Sequence, residues 1–189
     1  GAFARPHDID FDTSGNVYVS DNNNYRIQKF DSGGNFLDKW NAFGPDMYES
    51  SMPFGIGVNT SGEIYVANQT KNSIEKFDTS GTFMSRFGDT TRGNGKLNQP
   101  FGIHVSNSGQ VYVSDTYNHR VQIFDNNGNF VSQVGSFGYG DGQFYYPRGL
   151  TSDSSGNIYV IGSTKDRVQK FSSSGQFVAQ WGITGSDDG

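Results

Sequence analysis

The segment SDTYNHRVQIFDNNGNF, residues 114–130, holds the densest group of side chains with chemical potential in this chain. Asp115, His119, Arg120 and Asp125 lie within this one short window. Carboxylates and imidazoles are common general acids and bases, and both can bind metal ions. Whether these residues form an active site or part of a scaffold depends on the elements that hold them.

Those elements belong to a unit of 47 residues that occurs four times without insertion or deletion. The recurring columns include Pro6, Pro53, Pro100 and Pro147; Tyr18, Tyr65, Tyr112 and Tyr159; and Phe30, Phe77, Phe124 and Phe171. Each unit contains four short apolar runs separated by turns rich in Ser, Asn, Asp and Gly, as in DTSGN and DNNGN. Glycine accepts the positive φ that such hairpins require. A repeat of this length with four antiparallel strands is typical of a β-propeller blade.

We therefore predict an all-β protein, a β-propeller built from four-stranded antiparallel blades. The single domain spans residues 1–189, with blades at approximately 6–52, 53–99, 100–146 and 147–189. The first strand of each blade should line the axis and the fourth should lie at the rim. Three alternatives remain for closure: a ring of four blades, part of a larger propeller, or an open array whose end blades stack on other copies.

The third unit resembles the NHL repeat, and the resemblance extends over all four units. The matching residues are Pro100, Gly102, Ile103, Gly109, Val111, Tyr112, Val113, Asp115, Asn118, Arg120, Val121, Gln122, Phe124, Asp125, Gly128, Phe130 and Gly135. This resemblance implies a propeller of four NHL-type repeats. It implies little about activity, because the family includes enzymes, RNA-binding proteins, sensor domains and interaction platforms.

The repeat also predicts the role of the opening window. Arg120 has the counterparts Arg26 and Arg167, and Asp115 has the counterpart Asp21. A catalytic residue is needed once, whereas a residue present in several blades serves a purpose that those blades share. We expect Asp115 to accept backbone hydrogen bonds in its loop, with Arg120 reaching the same loop.

Binding residues are expected where the blades differ, on the face that carries the loops after the second strands and the connectors between blades. We call this the variable-loop face. Its candidate binding residues are His7, Tyr25, Phe54, Phe101, Tyr117, His119 and Arg148. The alternative for the aromatic members is that they fill the axis or pack between blades.

The amino-acid composition argues against several classes of function. The net charge of −5 and the absence of a basic stripe argue against a nucleic-acid partner. The sequence has no cysteine, which excludes disulfides, thiolate zinc sites and cysteine nucleophiles. No apolar run approaches the ~20 residues of a membrane span. The three histidines occupy three different repeat positions, so we expect no metal site and no cofactor.

The predicted function is a non-catalytic scaffold or binding module for protein–protein interaction or assembly. Its partner would be another protein, or other copies of the chain meeting through the end blades and the variable-loop face. The sequons at Asn59 and Asn68 favour an extracellular or cell-surface location. The alternative is an enzyme resembling the peptide-amidating lyases, whose axial metal site would here involve His7, His104 and Arg148.

Overall fold

The computed structural model describes residues 2–45, 52–88, 93–162, 166–182 and 184–185. Its strands are β1 (Pro6–Phe11), β2 (Val17–Asp21), β3 (Arg26–Phe30), β4 (Phe36–Asn41), β5 (Pro53–Val58), β6 (Ile64–Asn68), β7 (Ser73–Phe77), β8 (Phe83–Gly88), β9 (Ile103–Val105), β10 (Val111–Asp115), β11 (Arg120–Phe124), β12 (Phe130–Val134), β13 (Pro147–Ser152), β14 (Ile158–Gly162), β15 (Val168–Phe171) and β16 (Phe177–Trp181). Two 3-10 turns, Asn22–Asn24 and Thr116–Asn118, follow β2 and β10. Within these described ranges, no helix has the length and apolarity needed to cross a membrane.

The strands form four separate sheets, each with four antiparallel strands in chain order. The innermost strands β1, β5, β9 and β13 contact one another in succession, which places them along a common axis. The fourth strand of each sheet lies farthest from that axis. The prediction of an all-β propeller with four-stranded antiparallel blades is therefore confirmed.

Short polar turns end the strands at one face of the propeller. Between β1 and β2, Asp12 Oδ1 accepts the N–H groups of Ser14 and Asn16, each at 2.9 Å. Gly15 follows with φ +79°, a conformation that glycine adopts without steric cost. The same turn in blade four is closed by Asp153, where hydrogen bonds led by that from Asn157 lower the pKa of the carboxyl to about 2.

The apolar core lies between blades rather than within one sheet. The faces of consecutive blades form three buried clusters, centred on Tyr18 and Ile56, on Tyr65 and Ile103, and on Tyr112 and Phe144. Close to the axis the backbones nearly touch: a Cβ added at Gly102 would lie 2.1 Å from the carbonyl oxygen of Arg148. Only glycine permits that approach.

The outer faces of the first and last blades are exposed to solvent. Ile9 and Phe11 of blade one are 62% and 68% exposed, and Ile161 of blade four is 52% exposed. Blades one and four therefore do not cover each other, and the four blades form an open arc. This arrangement differs from the closed ring of four blades, one of the three alternatives that the sequence left open.

Candidate functional site

The window that opens the sequence analysis is a buried network centred on the Asp115 carboxylate, which is fully buried. Asp115 Oδ1 accepts the backbone N–H of Asn98 at 2.7 Å. Its Oδ2 accepts Arg120 Nε at 2.7 Å and Gln122 Nε2 at 2.9 Å, and Asn118 Nδ2 lies 3.0 Å from both oxygens. The carboxylate thus ties the loop after β10, the strand β11 and the preceding connector together.

Blade one repeats this network with nearly the same distances. Asp21 Oδ1 accepts the N–H of Ala4 at 2.7 Å, and Oδ2 accepts Arg26 Nε at 2.7 Å and Gln28 Nε2 at 2.9 Å. Hydrogen bonds from Ala4 and Asn24 and the Arg26 guanidinium lower the pKa of Asp21 against the opposing effect of burial. Two blades that make the same bonds with the same residues support the architectural role that the repeat predicts.

Blade two also contains a buried carboxylate paired with an arginine, but these two residues occupy other repeat positions. Asn68 and Ser73 stand where Asp115 and Arg120 stand in blade three. The carboxylate is supplied instead by Glu75 on β7, whose Oε1 accepts Arg86 Nε at 2.8 Å and Ser73 Oγ at 3.1 Å. A buried carboxylate and a guanidinium are therefore retained between β7 and β8, although neither occupies its usual column.

The variable-loop face brings four of the candidate residues together. Because Pro6 pairs with Asp21, the start of each first strand lies beside the end of its second strand, on this face. The residues after the four prolines meet there: the His7 ring lies 4.6 Å from the Phe54 ring and 4.7 Å from the Phe101 ring, between centroids. The Arg148 guanidinium lies 4.9 Å from the centroid of the Phe101 ring. We call these four residues the axial cluster.

The axial cluster carries an arginine and a neutral histidine. Burial, followed by the nearby guanidinium groups of Arg148 and Arg5, lowers the pKa of His7, so its imidazole is uncharged at neutral pH. Arg148 is exposed, and its charge lies over an aromatic face, a contact worth about 0.5–1 kcal/mol at exposed sites. The cluster offers a partner both apolar rings and one positive charge.

A second group of aromatic residues lies at the junction of blades three and four. It comprises Tyr117 and His119 of the loop after β10, and Phe137, Tyr139, Tyr145 and Tyr146 of the following connector; we call it the aromatic patch. The His119 ring stacks on the Tyr145 ring at 5.4 Å and 11°, and Tyr117 lies 4.9 Å from Tyr146. Tyr117, Phe137 and Tyr139 are 46%, 59% and 47% exposed. Tyr117 and Phe137 line a cleft of about 370 Å³, together with Arg120 and Gln133.

His119 also has a structural task in the aromatic patch. Its Nδ1 accepts the backbone N–H of Tyr146 at 3.2 Å, a residue held at φ +53°. In blade two, Asn72 occupies the same repeat position, and its Oδ1 accepts the N–H of Gln99 at 2.6 Å. Burial lowers the pKa of His119, which keeps Nδ1 available as an acceptor, although Asp115 opposes this shift. The variable side chain at this position thus performs a task that two blades share.

The structure does not gather all seven candidate residues into one site. Tyr25 stands apart from both groups and packs against Phe43, with ring centroids 6.2 Å apart. Four members of the aromatic patch, Phe137, Tyr139, Tyr145 and Tyr146, are absent from the candidates that the sequence suggested. A usable signal existed: the connector SFGYGDGQFYY contains five aromatic residues, whereas the equivalent connector DTTRGNGKLNQ contains none.

The histidines do not converge in the manner of a metal site. His104 Nε2 lies 2.9 Å from Ser152 Oγ, whereas His7 belongs to the axial cluster beside Phe101. His104 follows Phe101 by three positions, which is about 10 Å along an extended chain, while ligands of one zinc ion lie ~2 Å from it. Among the described residues, no group of three or more His, Cys, Asp or Glu side chains is placed to hold a metal ion.

Comparison with known families agrees with the fold. The model of the NHL repeat matches residues 3–30, and that of a family described as DUF5128, a 6-bladed beta-propeller, matches residues 90–182. These two matches support a relationship to the NHL-repeat β-propellers. The resemblance to NHL repeats that the sequence suggested is therefore confirmed. No curated protein matches this NHL-repeat chain in sequence.

Solved structures also resemble this NHL-repeat propeller. A streptogramin B lyase structure matches 96% of the chain with a TM-score of 0.75 and 18% identity, over 56% of its own length. Virginiamycin B lyase from Staphylococcus aureus matches 96% of the chain with a TM-score of 0.73 and 15% identity, again over 56% of its own length. Hydrazine synthase of Kuenenia stuttgartiensis matches 95% with a TM-score of 0.71 and 16% identity, over 50% of its own chain. The present chain thus spans about half the length of these proteins, and at such identities the likeness shows the fold alone.

Proposed function

We propose that this NHL-repeat propeller is a non-catalytic binding module that engages a protein partner through its variable-loop face. The observation that carries the proposal is the aromatic patch, in which three rings remain about half exposed and two of them, Tyr117 and Phe137, line a cleft. Aromatic residues and arginine are enriched at protein interfaces, where they act as buried anchors. The axial cluster adds two phenylalanines and Arg148 on the same face.

The hydrogen bonding of the buried carboxylates supports a binding role rather than catalysis. The carboxylates of Asp21 and Asp115 each accept hydrogen bonds on both oxygens from the surrounding backbone and side chains. Such saturated groups are poor candidates for general acid–base catalysis, which requires a group within hydrogen-bond reach of a substrate. The exposed rings of Tyr117, Phe137 and Tyr139 have no such network, and exposed aromatic side chains suit recognition of a partner.

Panning of a displayed peptide library against the purified protein tests the proposal. Selected peptides should lose at least tenfold in affinity for the triple variant Tyr117→Ala, Phe137→Ala, Tyr139→Ala. The matched control is Leu37→Ala, Met84→Ala, Val131→Ala, which removes three rim side chains of similar exposure, 49%, 49% and 50%. If both triple variants bind the peptides as tightly as the wild type, or lose affinity equally, the aromatic patch is not the binding surface.

The alternative function, a lyase with an axial metal, has one point in its favour: the fold is shared with structures named as lyases. It would require His7, His104 and Arg148 to act on one centre, and His104 lies with Ser152 at a different level of the axis. Metal analysis distinguishes the two functions. Stoichiometric zinc in the purified protein, lost in His7→Ala and His104→Ala, would favour the lyase over the binding module.

A location outside the cytoplasm remains part of the proposal, but the sequons no longer support it. Asn59 is 8% exposed, and its Nδ2 donates to Glu63 Oε2 at 2.7 Å. Asn68 is fully buried. Because a glycan needs an exposed asparagine, neither residue is an acceptor in the folded chain. Fractionation of the source cells with an antibody to the protein tests the location directly.

A further inference from the structure

One hydrogen bond from a side chain joins the loop after β10 to the connector that leads into blade four. The backbone N–H of Tyr146 donates to His119 Nδ1 at 3.2 Å. Both residues have a left-handed backbone conformation, with φ +58° at His119 and +53° at Tyr146. Residues other than glycine keep such a conformation only where surrounding contacts hold them in it. We call this bond the His119 contact.

Blade two makes the equivalent contact with a side chain that does not titrate. Asn72 and Gln99 occupy the repeat positions of His119 and Tyr146, and they also have positive φ, +57° and +46°. The Gln99 N–H donates to Asn72 Oδ1 at 2.6 Å. An amide oxygen remains an acceptor at physiological pH, whereas an imidazole nitrogen accepts only while it carries no proton. Blade three therefore has a titratable form of a structural contact that two blades share.

The His119 ring also lies at the centre of the aromatic patch. Its centroid is 5.0 Å from that of Phe137, 5.4 Å from that of Tyr145 and 4.8 Å from that of Tyr146. These three rings belong to the connector, whereas His119 and Tyr117 belong to the loop after β10. The position of the loop rings relative to the connector rings thus depends on His119.

Charged and titratable groups approach this ring from several elements. Among the described residues they are Asp115 of β10, Tyr117 of the loop, Arg120 of β11, and Tyr139, Tyr145 and Tyr146 of the connector. Asp115 favours the charged imidazole, but its carboxylate is already paired with Arg120 Nε at 2.7 Å. Burial outweighs this attraction and lowers the pKa of His119. At neutral pH the ring is therefore uncharged and Nδ1 is an acceptor.

We propose that His119 makes the aromatic patch sensitive to acid, so that the patch binds its partner at neutral pH and releases it as the pH falls. A protonated imidazole carries hydrogen on both nitrogens, so Nδ1 would face the Tyr146 N–H as donor against donor. The His119 contact then breaks, and Tyr145 and Tyr146 move relative to the loop after β10. This inference rests on the proposed function, because it takes the aromatic patch as the binding surface.

The change should stay within the patch, because blade four holds the rest of the connector separately. Arg167 Nη2 donates to the carbonyl oxygen of Gly140 at 2.7 Å. Gln169 Nε2 donates to the carbonyl oxygen of Gln143 at 2.8 Å. Guanidinium and amide donors keep these bonds at any pH near neutrality. Protonation of His119 should therefore rearrange the patch without unfolding the blade.

Nuclear magnetic resonance tests the His119 contact without a partner. As the pH is lowered from about 7.5 to 5, the amide signal of Tyr146 should shift with the same midpoint as the imidazole protons of His119. The amide signal of Gln99 is the internal control, because the Asn72 side chain that holds it does not titrate. A Tyr146 signal that does not follow the titration of His119 would overturn the proposal.

Binding is measured with peptides that the wild type selects and the triple variant Tyr117→Ala, Phe137→Ala, Tyr139→Ala loses. Peptides without His, Asp or Glu are used, so that only the protein titrates. The wild-type dissociation constant should rise about tenfold or more between pH ~7.5 and ~5, because apparent affinity follows the fraction of protein in the competent state. In His119→Asn the rise should be about threefold or less.

The readout is the ratio of the two dissociation constants within each variant, so a changed affinity at neutral pH does not affect it. His104→Asn is the matched control: it removes an imidazole that lies 2.9 Å from Ser152 Oγ, away from the patch, and should keep the wild-type ratio. Circular dichroism at both pH values establishes that each variant is folded.

Two binding results would overturn the inference while leaving the proposed function intact. One is a wild type that binds patch-specific peptides equally well at both pH values. The other is a rise in His119→Asn as large as that in the wild type. If instead the triple variant binds every selected peptide as tightly as the wild type, the proposed function fails, and the release of a partner from the patch fails with it.

Discussion

The substitution Asp115→Asn tests whether the buried carboxylate networks are architecture. It preserves shape but removes the charge opposite Arg120, whose side chain is only 11% exposed while that of Asp115 is 0% exposed. Removal of one partner from a buried ion pair costs about 3–5 kcal/mol. For a domain of this size, about 2–4 °C of Tm is lost per kcal/mol. We therefore expect Tm to fall by about 6–20 °C.

Urea unfolding followed by circular dichroism measures the loss in the free energy of unfolding. Asp21→Asn should cost a similar amount, because Asp21 makes the same bonds in blade one. Asp125→Asn is the control: Asp125 lies in an exposed turn where it accepts the N–H groups of Asn127 and Asn129, and its loss should cost about 1 kcal/mol or less.

Blade two supplies a rescue experiment. The quadruple variant Asp115→Asn, Arg120→Ser, Gln122→Glu, Gln133→Arg transfers to blade three the arrangement of Asn68, Ser73, Glu75 and Arg86. It should recover most of the stability lost in Asp115→Asn. Recovery will be incomplete, because Gln122 Nε2 also donates to the carbonyl oxygen of Lys96 and a glutamate cannot. The reasoning is refuted if Asp115→Asn is within about 0.5 kcal/mol of wild type while Asp21→Asn is strongly destabilised.

Two further predictions concern packing and pH. Gly102→Ala should destabilise the fold strongly, because its Cβ would lie 2.1 Å from the Arg148 carbonyl oxygen. Gly149→Ala, at the same repeat position, is the control, because its Cβ would meet only an Ile161 side-chain carbon at 3.3 Å. Equal urea midpoints for the two variants would contradict this prediction. The free energy of unfolding should fall as pH drops from about 7.5 to 5. Burial lowers the pKa of His7, His104 and His119 in the folded protein. The same histidines take up protons near pH ~6.5 in the unfolded chain, so a lower pH favours the unfolded state. His119→Asn keeps a hydrogen-bond acceptor like that of Asn72 in blade two but removes the titratable imidazole, so the urea midpoint of this variant should depend less on pH. An unchanged pH profile would show that His119 does not contribute to the pH dependence.

Much of the fold follows from local chemistry that the sequence displays directly. The 47-residue period fixes the blade, because each unit carries its own turns and its own pattern of apolar residues. The period also predicts that Asp115 and Arg120 are architecture, since Asp21 and Arg26 recur in the same columns. It could not predict the network of blade two, where Glu75 and Arg86 take over from other columns. Such compensation depends on which side chains meet across β7 and β8, which is a matter of register rather than of composition.

The candidate sites likewise depend partly on the sequence and partly on the tertiary structure. The sequence places His7, Phe54, Phe101 and Arg148 at one repeat position, but only the curvature of the arc makes them meet. Asp8 stands in blade one at the repeat position of Gly55, Gly102 and Gly149. The tertiary structure shows its role, because Asp8 Oδ2 accepts the N–H of Ile56 of blade two at 3.0 Å.

The repeat, the blade, the turns and the separation of shared from blade-specific residues follow from the amino-acid sequence, because they depend on contacts within about one period of chain. The tertiary structure decided which faces are covered. Ile9 and Ile56 occupy the same column, yet one is 62% and the other 2% exposed, because burial here depends on a neighbouring blade and not on the residue itself.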